Sequence, residues 1–166
     1  MRKKFTNLFE KISDLKMHLL VLLCLAGLGN VFGQNTTQGP DDCIKVTYVQ
    51  GSGTPTVTYY QRLTGTGVRA LNAVGGENAG TAANRKVYTI ELLWPDSQVT
   101  DQYTLDNMTT FNTNYKDITI KTAEGASFSA TIKRGNYSEG QGMFAQTNAN
   151  CSLTFENFIL DGMNIS

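Results

Sequence analysis

The sequence is poor in the residues on which many catalytic and metal-binding sites depend. Its 166 residues include one histidine, three cysteines, three prolines and one tryptophan. The single histidine, His18, lies near the amino terminus, and residues 34–166 contain none. Those residues therefore offer no serine–histidine or cysteine–histidine pair, no histidine zinc ligand and no histidine base. Because Cys-x-x-Cys, His-Glu-x-x-His and EF-hand patterns are also missing, we predict no metal and no other cofactor.

A surplus of basic residues is missing as well. The formal net charge of the whole sequence is zero. Residues 34–166 hold 9 basic and 12 acidic residues, with no basic cluster among them. Nucleic-acid binding depends on a positively charged surface that faces the phosphates. The sequence therefore predicts no nucleic-acid partner.

The amino-terminal segment is built like a secretory signal peptide. The basic stretch MRKKFTNLFEKISDLK precedes the apolar run MHLLVLLCLAGLG. This run is shorter than the roughly 20 apolar residues that span a bilayer. Small residues then precede a cleavage site between Gly33 and Gln34. We therefore predict that residues 1–33 are a signal peptide. The exported protein would be extracellular, at the cell surface or periplasmic, with no membrane span after the signal is removed.

Two cysteines, Cys43 and Cys151, follow the predicted signal peptide. An even number of cysteines in an exported chain is compatible with a disulfide. A Cys43–Cys151 bridge would tie the start of the mature domain to its last strand. Two unpaired thiols are the alternative, and the distance between the two Cα atoms decides between them.

Alternating apolar and polar residues predict strands along the mature chain. Residues 34–42 are polar and form a flexible start. In residues 43–85, the segments CIKVTYVQ and TVTYYQRLTG flank GSGTP, which predicts a β-hairpin or cap region. The rest of residues 43–85 forms a loop rich in glycine, alanine and asparagine, with room for one short helical turn.

Further short strands follow in residues 86–166. The segments VYTIELL, DITIKTA and SLTFENF share a hydrophobic-Thr-hydrophobic centre, with 28 positions from Ile90 to Ile118 and 35 from Ile118 to Leu153. Recurrence at such intervals is typical of repeat proteins. The alternation in CSLTFENFIL predicts one strong strand that ends at an Asp161-Gly162 turn. Since no segment shows a helical stripe, the fold class is all-β.

The segments KDITIKTAEGASFSATIKRG and MFAQTNANCSLTFENFILDG resemble the right-handed parallel β-helix (pectate-lyase-like) family of secreted and surface bacterial proteins. The resemblance covers residues 86–166. It implies about two to three coils of a short parallel β-helix, a truncated amino-terminal portion of a longer protein, preceded by the small β cap or hairpin region. A repeat buries its apolar face only on its neighbours. An open carboxy-terminal strand is therefore expected to self-associate or to be covered by further chain.

The resemblance implies two classes of function. One is a cell-surface adhesin or stalk, and the other is a polysaccharide lyase or a glycoside hydrolase. A glycosidase needs two carboxylates about 5 to 9.5 Å apart, and a lyase of this family needs a carboxylate cluster with a basic residue. The candidates are scattered along the sequence, and we assign no catalytic residue among Asp96, Asp101, Asp106, Lys133, Arg134, Glu156 and Asp161.

Aromatic side chains are the remaining candidates for a binding role. Trp94 and Tyr103 could contact a polysaccharide or a cell-surface glycan, and packing in the core is the alternative. We predict an exported, cell-surface, non-enzymatic protein with an adhesion or structural role. The alternative is the amino-terminal part of a polysaccharide lyase or glycoside hydrolase whose catalytic coils lie beyond this chain.

Overall fold

The computed structural model describes residues 36–65, 69–76, 79–99, 101–111, 114–135 and 141–162. The predicted signal peptide, residues 1–33, lies outside them. The described residues are mostly β, with one short α-helix, α1 (Ala70–Gly76), and a 3-10 helix at Asp96–Gln98. Their strands are β1 (Ile44–Gln50), β2 (Thr56–Tyr60), β3 (Lys86–Leu92), β4 (Thr104–Leu105), β5 (Thr109–Phe111), β6 (Lys116–Thr122), β7 (Ala130–Arg134), β8 (Phe144–Gln146), β9 (Ser152–Glu156) and β10 (Phe158–Asp161).

The strands form three small sheets. The largest has the order β2-β1-β3-β6-β9, the second β10-β7-β4 and the third β5-β8. In the largest sheet, β1 pairs antiparallel with both β2 and β3. The pairs β3–β6 and β6–β9 are parallel. The predicted right-handed parallel β-helix is therefore wrong, because the main sheet is mixed and the other parallel strands form separate small sheets. The short loop 51–55 reverses the chain after β1, and a reversal of this kind makes adjacent strands antiparallel.

The recurring hydrophobic-Thr-hydrophobic segments lie side by side in the main sheet. Thr89 of β3 is the register partner of Thr119 of β6, which in turn is the partner of Thr154 of β9. Ile90 pairs with Ile120, so the first interval is 30 positions rather than the 28 measured to Ile118. The shared pattern is thus a feature of strands that pair in register.

The core lies under one face of the main sheet. Ile90 and Ile120 are fully buried, and burial alternates along β6 as a sheet with one covered face requires. In β3 the alternation stops at Glu91, which is buried beside Ile90 and forms an ion pair with Lys45. Helix α1 contributes Leu71 and Val74, each 1% exposed, to the same cluster. Burying one such side chain contributes about 1.5–3 kcal/mol relative to leaving it in water.

A sharp corner separates β9 from β10. Asn157 between them has φ of 53°, in the left-handed region that asparagine tolerates better than most residues. Its carbonyl accepts a hydrogen bond from the Thr122 hydroxyl, and the same hydroxyl accepts one from the Ala130 amide at 3.0 Å. The single strand predicted for CSLTFENFIL is therefore wrong, because the chain turns at Asn157 and its second half joins a different sheet.

A hydrogen-bonded ion pair connects β6 to Arg85, the residue before β3, and a serine hydroxyl extends the cluster to β9. Asp117 accepts two hydrogen bonds from the Arg85 guanidinium, Nε to Oδ2 and Nη2 to Oδ1, both at 2.6 Å. The Ser152 hydroxyl donates to the same carboxylate at 2.5 Å. The Arg85 bonds, assisted by Ser152, hold the pKa of Asp117 below its ordinary value of 3.8.

We expect Asp117→Asn to lower the urea midpoint of unfolding at pH 7. The folded-state pKa of Asp117 is depressed, so the carboxylate stabilises the fold fully above its ordinary pKa and loses that effect as pH falls through the folded value. The difference between wild type and variant should therefore shrink below pH 4. A difference that stays constant down to pH 2 would contradict this assignment, and Asp101→Asn is the control.

Candidate functional site

A cavity of about 740 Å³ opens on one side of the protein. Its walls come from three segments: residues 62–65 after β2, residues 69–75 in and before α1, and residues 106–110 between β4 and β5. Most of the lining residues are polar, with two arginines, an aspartate, two asparagines and three threonines, and the lining surface is divided about evenly between polar and apolar groups. It is the candidate functional site.

One wall is fixed by the side chain of Thr64. Its hydroxyl donates to the Thr104 carbonyl at 3.0 Å and accepts from the Asp106 amide at 3.1 Å, which holds residues 62–65 against the end of β4. Gly65 follows with φ of 115°, a conformation that favours glycine. A Cβ at this position would stand 3.1 Å from Oδ2 of Asp106, so the wall needs glycine for space as well.

Helix α1 forms the second wall, and three contacts position it. The Leu71 amide donates to the Leu63 carbonyl at 3.0 Å, and the apolar side chains of Leu71 and Val74 are buried in the core. Lys116 of β6, 1% exposed, donates from Nζ to the Val74 carbonyl at 2.6 Å. The helix that carries Asn72 into the cavity is therefore anchored to the main sheet through a buried lysine.

The polar lining suits a ligand rich in oxygen atoms. Arg62 and Arg69 are among the lining residues, and guanidinium groups bind carboxylates and other oxyanions through two parallel hydrogen bonds. Asp106, Asn72 and the threonines add hydrogen-bond acceptors and donors for hydroxyl groups. With two guanidinium groups and one carboxylate, the lining carries a formal charge of about +1 at neutral pH.

Tyr103, predicted as a candidate glycan contact, is a structural residue. It is 2% exposed, and its hydroxyl donates to the Cys43 carbonyl at 2.8 Å and accepts from the Trp94 amide at 3.0 Å. Burial raises the pKa of this phenol above its ordinary value. A ring with so little exposed surface cannot stack on a sugar. Trp94 is half-buried and packs against the core, outside the cavity lining.

Of the two alternatives left open for Cys43 and Cys151, the structure has the unpaired thiols, and both are buried. Cys43 lies beside Leu93, just beyond the end of β3, whereas Cys151 precedes β9 at the level where β3 begins. The length of β3 separates these levels by roughly 20 Å at about 3.3 Å per residue, and a disulfide requires Cα atoms closer than about 7 Å. Burial raises the pKa of the Cys43 thiol to about 12.

The remaining sequence candidates do not assemble into one site. Among the acidic ones, only Asp106 lines the cavity. Asp96 accepts a hydrogen bond from the Thr131 amide at 2.8 Å, and Glu156 and Asp161 are exposed on β9 and β10. Within the described ranges, no three residues among histidine, cysteine, aspartate and glutamate lie close enough to hold a metal ion.

Sequence reasoning missed the residues that give the cavity its positive charge. Arg62 and Arg69 lie in a stretch dominated by glycine, alanine and asparagine, where two isolated arginines form no recognised pattern. The sequence did contain one indication of a polar site: Arg62 and Arg69 flank the Gly-Thr-Gly segment 65–67, and Asn72 follows three positions after Arg69. That spacing becomes meaningful only when the turn folds Arg62 and α1 onto the loop after β4.

Comparison of the chain with protein-family models, with curated proteins and with solved structures found no match. The resemblance to secreted β-helix proteins therefore rests on the sequence segments alone, and nothing in these comparisons identifies that family. In the described part of the chain, no helix has the length and apolar character needed to cross a membrane.

Proposed function

We propose that this chain is an exported, non-enzymatic protein of the cell surface that acts in adhesion by binding an acidic glycan. The observation that carries the proposal is the open polar cavity with Arg62 and Arg69 in its lining. The signal-peptide pattern of residues 1–33 supports export. The lining combines apolar surface with polar side chains that can direct hydrogen bonds to hydroxyl groups, and polar groups placed in this way fix the orientation of a ligand.

The charge of the cavity favours an acidic saccharide over a neutral one. The domain as a whole has more acidic than basic residues, with 9 basic and 12 acidic residues in positions 34–166, whereas the lining has two arginines against Asp106. A uronic-acid carboxylate can receive two parallel hydrogen bonds from one guanidinium group. The neighbouring sugar hydroxyls would then meet Asn72 and the threonines.

The test is calorimetric titration with a trisaccharide of galacturonic acid, with neutral maltotriose as the comparison ligand. Arg62 is exposed at the rim of the cavity, so Arg62→Gln should leave the fold intact. We expect this variant to weaken binding of the acidic trisaccharide by about tenfold, since it removes a charge-assisted hydrogen bond. Lys133→Gln, which removes a cation outside the lining, is the matched control and should bind as wild type does.

Asp106→Asn tests whether removing the negative charge of the lining raises the affinity for an acidic ligand. The variant removes the carboxylate of the lining while retaining similar side-chain volume, so affinity for the acidic trisaccharide should rise. Added salt should weaken wild-type binding, because it screens the attraction. Equal affinity for the acidic and the neutral trisaccharide in all variants would contradict the proposal that the glycan is acidic. The absence of binding to either trisaccharide would contradict the proposal that the ligand is a glycan.

A further inference from the structure

The last strands of the described chain lie at the edges of their sheets. β9 ends the order of the main sheet, β10 ends that of the three-stranded sheet, and β8 ends the two-stranded one. Four of the five residues of β9 and three of the four of β10 are exposed. The β9–β10 face, defined as residues 152–161, therefore consists of two edge strands of different sheets that follow each other across the corner at Asn157.

The apolar side chains of this face occupy positions that are buried one strand further in. Phe155 is 42% exposed, although its register partner Ile120 and the next partner Ile90 are both 0% exposed. Leu160 is 45% exposed, although its partner Ile132 in β7 is 0% exposed. Phe155 and Leu160 are thus exposed at positions whose equivalents in the neighbouring strands belong to the core.

The exposed aromatic side chains are already ordered. The Phe155 ring lies 5.0 Å from that of Phe144 and 5.5 Å, edge to face, from that of Phe158. Ile159, 54% exposed, follows Phe158 on β10 and adds exposed apolar surface on the opposite face of that strand. An ordered apolar patch loses little side-chain freedom when it is covered, which favours binding of a partner surface.

Nothing in the sequence of this face opposes pairing with another strand. Natural edge strands are commonly protected by lysine, by proline or by charges that point inward. Residues 144–161 contain no lysine, arginine or proline, and the acidic residues Glu156 and Asp161 stand at the ends of β9 and β10. The middle of each strand is uncharged.

We propose that the β9–β10 face binds a second copy of this chain, with the two β9 strands antiparallel across a twofold axis at Thr154. This register places Ser152 opposite Glu156 of the other copy and Leu153 opposite its Phe155. Apolar side chains then face apolar side chains and Thr154 faces itself, which are favourable cross-strand pairs, and each Glu156 faces the uncharged Ser152. A parallel in-register arrangement would place Glu156 beside Glu156, which is unfavourable.

The proposed contact produces a dimer that does not grow further, because both copies contribute the same β9–β10 face. A twofold contact buries the same patch on both copies and stops at the dimer. Pairing of β9 with β2, the other edge of the main sheet, would leave each product with one β9 and one β2 edge and would continue into an open chain. Since no residue of the cavity lining belongs to β9 or β10, the dimer carries two binding cavities. Two linked sites bind a repetitive glycan more strongly than either site does alone.

The experiment is sedimentation equilibrium of the purified protein across a wide range of concentration. It compares wild type with two variants that place opposite charges at Thr154, the residue on the twofold axis. Thr154 is exposed, so Thr154→Lys and Thr154→Glu should both fold. Each variant alone places like charges opposite each other and should weaken dimerisation by at least about tenfold. An equimolar mixture of the two should restore the dimer, because lysine then faces glutamate.

Val87→Lys provides the matched control, since it places lysine on an exposed apolar position of β3 outside the face. It should dimerise as wild type does. Circular dichroism of each variant separates failure to fold from failure to associate. A wild type that stays monomeric, species that grow beyond the dimer with concentration, or a mixture that remains monomeric would overturn the proposal.

Discussion

Replacing Tyr103 with phenylalanine is expected to lower the free energy of unfolding by about 2–3 kcal/mol, because one hydroxyl group serves two backbone partners. The hydroxyl donates to the Cys43 carbonyl and accepts from the Trp94 amide. Its removal leaves the Trp94 amide without this acceptor, whereas the Cys43 carbonyl keeps the hydrogen bond from the Leu93 amide at 2.9 Å and the ring itself stays in place. Loss of a buried partner costs more than the hydrogen bond contributes on its own, since the remaining group has given up water as well.

The Tyr103 result also separates a structural role from a binding role. Urea unfolding followed by circular dichroism measures the stability difference, and Tyr115→Phe, in which the substituted ring is half-buried, is the control. Below the unfolding transition, Tyr103→Phe should bind the acidic trisaccharide as wild type does. An unchanged urea midpoint together with weaker binding would contradict the structural role and return Tyr103 to the glycan contacts.

Replacing Lys116 with methionine is expected to destabilise the protein by about 2–3 kcal/mol. Methionine retains most of the volume of the lysine stem but removes the donor to the Val74 carbonyl, and with it the cation 5.7 Å from the centre of the Tyr88 ring. Replacing both partners of a buried polar contact by apolar groups can be neutral. Here only one partner changes, so the Val74 carbonyl loses this donor and the cost remains.

Lys116→Met should also weaken ligand binding, because the contact anchors α1, one wall of the cavity. Lys133→Met is the matched control, since its parent side chain is half-buried and lies outside the cavity lining. Chemical unfolding and calorimetric titration provide the two readouts. Unfolding midpoints that agree between Lys116→Met and wild type would show that the buried lysine does not anchor the helix.

The strands were predictable because each carries its own signal. Alternation along KVYTIEL and KDITIKT reflects one buried and one outward-facing side, and that alternation requires no knowledge of neighbouring strands. The in-register pairing of Thr89, Thr119 and Thr154 also follows from the shared pattern. The prediction of a mostly β chain succeeded for this reason.

The arrangement of the strands was not predictable in the same way. Strand direction depends on where the chain turns: the loop after β1 makes β2 antiparallel to β1, and the longer connection that follows returns β3 antiparallel to β1 on its other side. The corner at Asn157 did leave a trace, since the spacing from Phe155 to Phe158 breaks the period of two. The one-residue shift marks the boundary between β9 and β10, which belong to different sheets. The prediction of a single strand ignored this shift.

The cavity and the cysteine distance depend on contacts between segments distant in sequence. Asp106 meets Thr64 across 42 positions, and Lys116 meets Val74 across the same separation. No local pattern encodes such contacts. The separation of Cys43 from Cys151 likewise follows from strand direction, so the count of cysteines alone could not exclude a disulfide.

The central claim is that the cavity between residues 62–65, α1 and residues 106–110 is the ligand site. Titration of the ¹⁵N-labelled protein with the galacturonic acid trisaccharide, followed by amide chemical shifts, tests it most directly. We expect saturable shifts concentrated at Thr64, Gly65, Asn72 and residues 106–110. Shifts absent at saturating ligand, or concentrated on the β9–β10 face instead, would contradict it.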